Sequence, residues 1–579
     1  MNNSNFMLAA LLSVAIFVGF HFFYEKPRME RLQAAQIAQQ ALEKSAAVPT
    51  QTASAAPVNV GQLSRTDRIK ETTRVAIASA TLNGSINLTG ARLDDLTLPQ
   101  YRETVDPHSP PIVLLSPSGS AMPHQGYYAE FGWLSDTPLT LPDAQSVWSN
   151  AAAAALSPQQ PVTLRWDNGH GLRLERVIAL DDQYMFTLTD KVSNDGDAPI
   201  TLHPYALVAH QGKSDKVDMA MGHVGPMGVF NGVLREHGYD AMMEQPETVE
   251  ASTGGWLGIG DKYWLVALIP GAQEALNANF KYAALAGHKP EYGQFQADYR
   301  GAPITVAAKA SVEYSRRFFA GAKHVELLDD YADKYHIENF TLAIDFGWFR
   351  FLTKPMLYTL NWLGNHLGNM GWAILALTVL VKLLVLPLGI HSFRSMAKMK
   401  QLQPEMQRIN ERYKSDPQRR GVETMELFRR EKTSPVSGCI PILAQLPFFF
   451  ALYKILSIDI DIYHAPFFGW IRDLSAPDPT SYINLFGLLP WDPPSGGLGL
   501  FHIGVTPILM GVSMFLLQRM SPKPPDPTQA QVIMFMPLIF TIMIAPSMAS
   551  GLIIYWTWSN LISIAQQYLI FRRMGVKTT

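Results

Sequence analysis

The chain carries a single cysteine, Cys439, in 579 residues. That excludes an intramolecular disulfide even in an oxidising compartment. Its 15 histidines, His203 and His210 among them, show no ligand spacing, so no metal site is expected. "GWLGIGDK", around Gly258 and Gly260, lacks the phosphate-binding glycine pattern. Cys439 has no nucleophile's partner nearby and reads as a packing residue. No cofactor and no enzyme activity are assigned. The net charge of −2 says nothing about partners, because the basic residues are concentrated locally, and no nucleic-acid specificity is assigned. Asp and Glu are also missing from every long apolar run in the last two-fifths of the chain. That absence isolates one residue, Lys382.

What is present falls into two regimes that a mean hydropathy near zero conceals. The first three-fifths is mostly polar and alternating, and the rest is dominated by apolar runs. Residues 1–25 hold an apolar stretch, Phe6 to Tyr24, with no basic n-region and no small-residue cleavage site, which reads as an uncleaved membrane anchor. Residues 26–71 read as a helical, then flexible, linker that includes "VPTQTASAAPVNVGQ". Residues 72–335 carry the strand signal. "GLRLERVIALDDQYMFTLTDKVSNDGDAPITL" alternates through Leu172 and Leu174, then through Tyr184, Phe186 and Leu188, with turns at Asp181-Asp182 and Asn194-Asp195-Gly196. Several such units in succession predict a large twisted β-sandwich.

Residues 346–366 predict an interfacial amphipathic helix. Phe349, Leu352, Met356, Leu360 and Leu363 share one face, Lys354, Asn361 and Asn365 lie elsewhere, and Trp348, Tyr358 and Trp362 suit a headgroup layer. Five apolar core spans are expected, at 369–390, 436–458 and 501–518, with two more within 532–571 that turn at "APSMASG". Pro435, Pro441 and Pro447 predict a bent second span. Segments 459–500 and 519–531 connect spans, and 572–579 is a short basic tail. The fold class is therefore a multi-pass α-helical membrane protein with an anchor, a five-span core and a large extracytoplasmic β-domain.

The loop 391–433 is short and basic, with Arg394, Lys398, Lys400, Arg408, Arg412, Arg419 and Arg420 among its charges, which places it in the cytoplasm. Both termini then fall inside and the β-domain outside, although Lys26, Arg28 and Arg31 after the first anchor run against this. Met396, Met399, Leu402, Met406, Ile409 and Tyr413 step by three or four residues, as in a coiled-coil seam. Asp416-Pro417 opens a second helix carrying Val422, Met425 and Phe428. The loop reads as a basic helical hairpin suited to cytoplasmic partners.

Lys382 falls near the centre of the run Gly371 to Ile390, where a cation costs ~2.5–3.5 kcal/mol. Its four-carbon stem cannot snorkel fully from there. A Schiff-base lysine would want an acidic counter-ion, and a proton relay a chain of titratable groups; neither is visible. Neutral polar residues are available instead: Thr378 one turn earlier, Gln445, and Tyr555, Ser559, Asn560, Gln566 and Gln567 in the last span. If they surround the lysine, the site is a hydrated, positively charged recess that attracts acidic groups.

"SMAKMKQLQPEMQRINERY", "SPVSGCIPILAQLPFFFALYKIL", "APFFGWIRDLSAPDP" and "SGLIIYWTWSNLISIAQQYLI" together resemble the YidC/Oxa/Alb insertase family. The resemblance spans the chain, from anchor through periplasmic β-supersandwich to the five-span core. It implies a membrane protein insertase and chaperone of the Gram-negative inner membrane. Newly made membrane proteins would enter a hydrophilic groove open to cytoplasm and lipid. Lys382 stands where the family usually has arginine, so charge is kept but the bidentate fork is lost. Thr378 matches a groove threonine, and Tyr555-Trp556 matches a pair that is commonly Tyr-Tyr. Gln445, Ser559 and Asn560 complete the implied groove, and Leu443, Phe448, Phe449 and Leu552 the implied apolar slide. Implied partners are nascent membrane proteins, the lipid bilayer, and the Sec translocon with its accessory subunits. The hairpin would serve the ribosome or the signal-recognition-particle receptor, since the tail "RRMGVKTT" is short.

Two other functions compete. A small-solute transporter predicts inverted repeats with matching broken helices, and none is evident. An anchored envelope carbohydrate-binding protein explains the β-domain, whose fold is shared with sugar-binding proteins, but leaves Lys382 and the hairpin idle.

Overall fold

A computed structural model describes residues 63–576 apart from 152–153, 214–221, 286, 432, 434–439, 490–502 and 523–526. The anchor, most of the linker, Pro435 and Cys439 lie outside the described residues. The chain divides into two compact units at the junction of Asp345 and Phe346.

The first unit is a sandwich of two antiparallel sheets, with ten and nine strands among the described residues. Tyr127–Leu134, Ile200–Gln211, Gln294–Gly301 and Ala275–Ala283 are consecutive in the larger sheet. Trp264–Ile269, Ala310–Ala322, Met185–Asn194 and Leu172–Leu180 are consecutive in the smaller. Period-two alternation drives this: Leu172, Leu174, Ile178 and Leu180 are all buried on one face of their strand. Aromatic pairs bridge the sheets, Phe131 to Phe318 and Trp133 to Tyr314, each 5.5 Å between centroids. The predicted turn at Asp181 forms because its Oδ1 accepts from the backbone of Gln183 and Met185, both at 2.9 Å.

Two buried carboxylates in this unit behave oppositely. Asp190 is fully buried, which pushes its carboxyl up, but the guanidiniums of Arg176 and Arg316 outweigh burial and hold it below the usual range. Asp298 accepts from two amides, Gln296 Nε2 at 2.7 Å and Asn279 Nδ2 at 3.3 Å, and burial outweighs these and the nearby Lys281 charge, pushing it up to about 6. A carboxyl whose folded pKa is raised favours the fold at low pH, and that contribution is lost as pH rises through about 6. Asp298→Asn is therefore expected to stabilise the unit by ~1–3 kcal/mol at pH 7.5 and by almost nothing near pH 4, which melting curves at the two pH values would measure.

The second unit is helical. Its elements are α1 (Arg350–Leu367), α2 (Met370–Leu384), α3 (Leu386–Gln401), α4 (Gln403–Arg412), α5 (Pro417–Arg430), α6 (Ile440–Ile458), α7 (Val505–Met520), α8 (Pro527–Ile539) and α9 (Ser550–Arg573). Among the described residues no single helix is long and apolar enough to cross a membrane; α2 and α3 meet that test together, bent by 69°. This corrects the expected straight run through 369–390. Pro387 disfavours helical geometry at the residue before it, and it cannot donate to the Leu383 carbonyl four residues back. Val385 takes up the bend at φ −89°, ψ 0°. Lys382 thus lies in the last turn of α2, just before the bend.

Three other expectations shift. On α1 the buried face is Thr353, Met356, Leu357, Leu360, Asn361 and Gly364. Asn361 was expected away from the apolar face, yet it is buried and donates to Asp461 Oδ2 at 3.1 Å. In the hairpin, Met399 and Met406 pack with Leu427 and Phe428, flanked by Leu402 and Ile409. Met396 leaves that seam for Phe393, Ala397 and Phe571. Val422 and Met425 are exposed rather than seam residues, while Asp416 caps α5 by accepting from Arg419 N at 3.0 Å. Pro537 leaves the Ile533 carbonyl without its helical donor, and the Gln518 side chain bonds it instead. The backbone then widens into a π-turn over Phe540–Ile544 before the turn into α9.

Candidate functional site

Three helices converge on Lys382. Its Nζ donates to Gln445 Oε1 of α6 and to Ser563 Oγ of α9, both at 2.8 Å. Gln445 Nε2 donates to Ser559 Oγ at 2.6 Å, and Ser563 Oγ donates to the Ser559 carbonyl at 2.9 Å. A fourth helix joins through Asn560, whose Nδ2 donates to Ser513 Oγ of α7 at 2.9 Å. Ser559 and Ser563 are one turn apart and share a face of α9, so a single lysine and a single amide reach both.

Lys382 is only 7% exposed, and no carboxylate among the described residues pairs with it. The ammonium is held by neutral oxygens rather than by a carboxylate. Each hydrogen bond to a charged group contributes roughly 1.5–3 kcal/mol, so two of them offset most of what burial of the cation costs. The remaining positive charge has no internal counter-ion among the described residues.

The other groove candidates divide. Gln445, Ser559 and Asn560 belong to the polar layer. Thr378 is buried, but its hydroxyl donates to the Ile374 carbonyl of its own helix at 2.7 Å rather than meeting Lys382. Tyr555 is buried with its ring 6.4 Å from Phe449. Trp556 packs between Phe449 at 4.7 Å and Phe540 at 4.8 Å, beside Met510, Ala545 and Ile553, and so contributes to apolar packing rather than to the layer. Of the slide candidates, Phe448 and Phe449 are half-buried, and the Leu443 side chain lies outside the described residues. Leu552 is 1% exposed, which removes it from any surface a passing segment could touch. It sits in the first turn of α9, where neighbouring Gly551 is packed against the Leu474 carbonyl and the side chains of Ile374 and Leu456. Among the described side chains of α6, Leu446 and Phe450 are exposed apolar ones.

Ser563 was not foreseen. Its signal was the four-residue step Tyr555, Ser559, Ser563, Gln567 along one face of the helix. In the hairpin, Arg394, Lys398, Arg408, Arg412 and Arg419 are exposed, and Lys400 and Arg420 are half-buried.

Residues 74–359 match the family described as YidC periplasmic domain, and residues 362–577 match 60Kd inner membrane protein. A protein of Methylorubrum extorquens (strain PA1) named membrane protein insertase YidC is 44% identical over 602 residues, covering all of this chain and 96% of that protein. One of the same name from Bradyrhizobium diazoefficiens is 43% identical over 607 residues, covering all of this chain and 97% of that one. A solved structure described as an active YidC insertase with its first transmembrane domain resolved matches at a TM-score of 0.37 and 15% identity, covering 88% of this chain and 94% of that chain. The chain belongs to the YidC family of inner-membrane protein insertases.

Proposed function

We propose that this insertase works through the polar layer around Lys382, with the buried, carboxylate-free ammonium as the observation that carries the reading. The lysine draws a polar or acidic segment of a newly made membrane protein part-way into the bilayer. Transfer of the following apolar segment into lipid then supplies the driving force. Because an ammonium is a point charge without a planar fork, the role is a positive field rather than shaped carboxylate recognition. The β-sandwich faces the periplasm, both termini and the basic hairpin face the cytoplasm, and five core spans follow the anchor. The hairpin's exposed arginines and lysines suit acidic surfaces of cytoplasmic partners, the ribosome or a targeting receptor, and the Sec translocon is a further partner.

Insertion of a single-span substrate with an acidic tail into proteoliposomes tests this. Lys382→Met is expected to lower the rate about tenfold, the effect of losing one charge-assisted contact, and Lys382→Arg to retain it. Equal rates for all three proteins would remove the lysine from the mechanism.

A further inference from the structure

The lysine's two acceptors are arranged so that they can let go. Gln445 faces its carbonyl oxygen to the ammonium and its amide nitrogen to Ser559, which fixes the orientation of the amide. The Ser563 hydroxyl accepts from Lys382 while its own proton is held by the Ser559 carbonyl. Each acceptor therefore keeps a hydrogen bond to α9 when the ammonium leaves, and neither donor is stranded. A carboxylate brings a full negative charge to its bond with an ammonium, a Coulomb attraction that a neutral oxygen lacks. The layer is thus stable at rest but out-competed by a carboxylate.

We propose that Gln445 and Ser563 form a latch on Lys382. They occupy the ammonium in the resting protein, and a substrate carboxylate displaces them. They are positioning residues that compete with substrate rather than bind it. This rests on the reading of Lys382 as the attracting charge. It adds that the resting groove is closed by specific side chains, and that an acidic tail is what opens it.

The competition gives an unusual sign. Ser563→Ala removes an acceptor, so in full-length protein in proteoliposomes a substrate with an acidic tail should insert about tenfold faster or more, as expected for losing one hydrogen bond to a charged group. A matched substrate with a neutral tail should be unchanged. Gln445→Leu repeats the test through the other acceptor, so a folding defect in one variant leaves the question decidable. Ser563→Asp supplies a permanent counter-ion and should slow the acidic substrate to the rate of Lys382→Met, with Ser563→Thr restoring wild-type behaviour. Slower insertion of both substrates by Ser563→Ala and Gln445→Leu would overturn the latch and make these residues part of the path. Wild-type rates in Lys382→Met would instead overturn the underlying role of the lysine.

Discussion

Asp190→Asn is expected to destabilise the β-sandwich unit by ~3–5 kcal/mol, the range for breaking a buried ion pair from one side. Asp190 Oδ1 accepts from Arg176 Nε at 2.6 Å, and Oδ2 accepts from Arg176 Nη2 at 2.9 Å, Arg316 Nη2 at 2.5 Å and Trp133 Nε1 at 3.0 Å. Arg176 and Asp190 are directly opposite in the strand register, at core-facing positions of Leu172–Leu180 and Met185–Asn194. An asparagine leaves two guanidiniums enclosed with no counter-charge. The unit's melting temperature should fall by roughly 6–20 °C, read from its thermal transition in the intact protein. Replacing Arg176, Asp190 and Arg316 together by apolar residues should cost less than Asp190→Asn alone, because no unpaired charge remains. An Asp190→Asn transition within a degree of wild type would show the cluster to be relaxed or solvated.

Asp478→Ala is expected to destabilise the helical unit by ~2–4 kcal/mol, through loss of a helix cap and of buried acceptors. The N-terminus of α7 has Gly504 at its cap position, which offers no side chain. Asp478, far upstream, substitutes: it accepts from Thr506 N and Oγ1, both at 2.7 Å, and from Thr480 N at 2.9 Å and Oγ1 at 2.6 Å. Glycine is required at 504, since a Cβ there would lie 2.7 Å from Asp478 Cγ. Thermal unfolding in detergent should show a clear loss for Asp478→Ala, a smaller one for Asp478→Asn, and a loss for Gly504→Ala that is not additive with the first. Full additivity would mean that the two residues act separately.

Much of this was legible in the chain and some was not, for identifiable reasons. The sandwich could be read because a strand's period of two writes burial into the sequence: the alternation through Leu172 and Leu174 continues to Ile178 and Leu180 as buried positions. Arg176 interrupts that series, and Asp190 interrupts the matching series of Phe186, Leu188 and Val192, so both charges were visible on an apolar face. Arg316, the third member, comes from a strand 126 residues beyond Asp190, and no local pattern announces such a partner. Asp478 and Thr506 are the same kind of long-range pair. Lys382 was recognisable as anomalous, but the bend just after it was not foreseen, because hydropathy sees an unbroken apolar run where Pro387 breaks the helix. Ser563 was overlooked although it continues the step Tyr555, Ser559, Gln567, because that step marks a polar face of α9 without naming what meets it from α2 and α6.

The bend between α2 and α3 has a mechanical meaning. One residue, Val385, separates the two helices, and Lys382 lies one turn before it. With 16 residues, α3 is an arm of ~24 Å. A swing of roughly 10° about that joint moves its far end by ~4 Å. The arm's middle is clamped to α9 by Phe393, Met396 and Phe571, and α9 carries Ser559 and Ser563. Force applied to the basic hairpin therefore becomes torque on the helix that holds the lysine's partners. A load on the hairpin would thus reach the site without touching it.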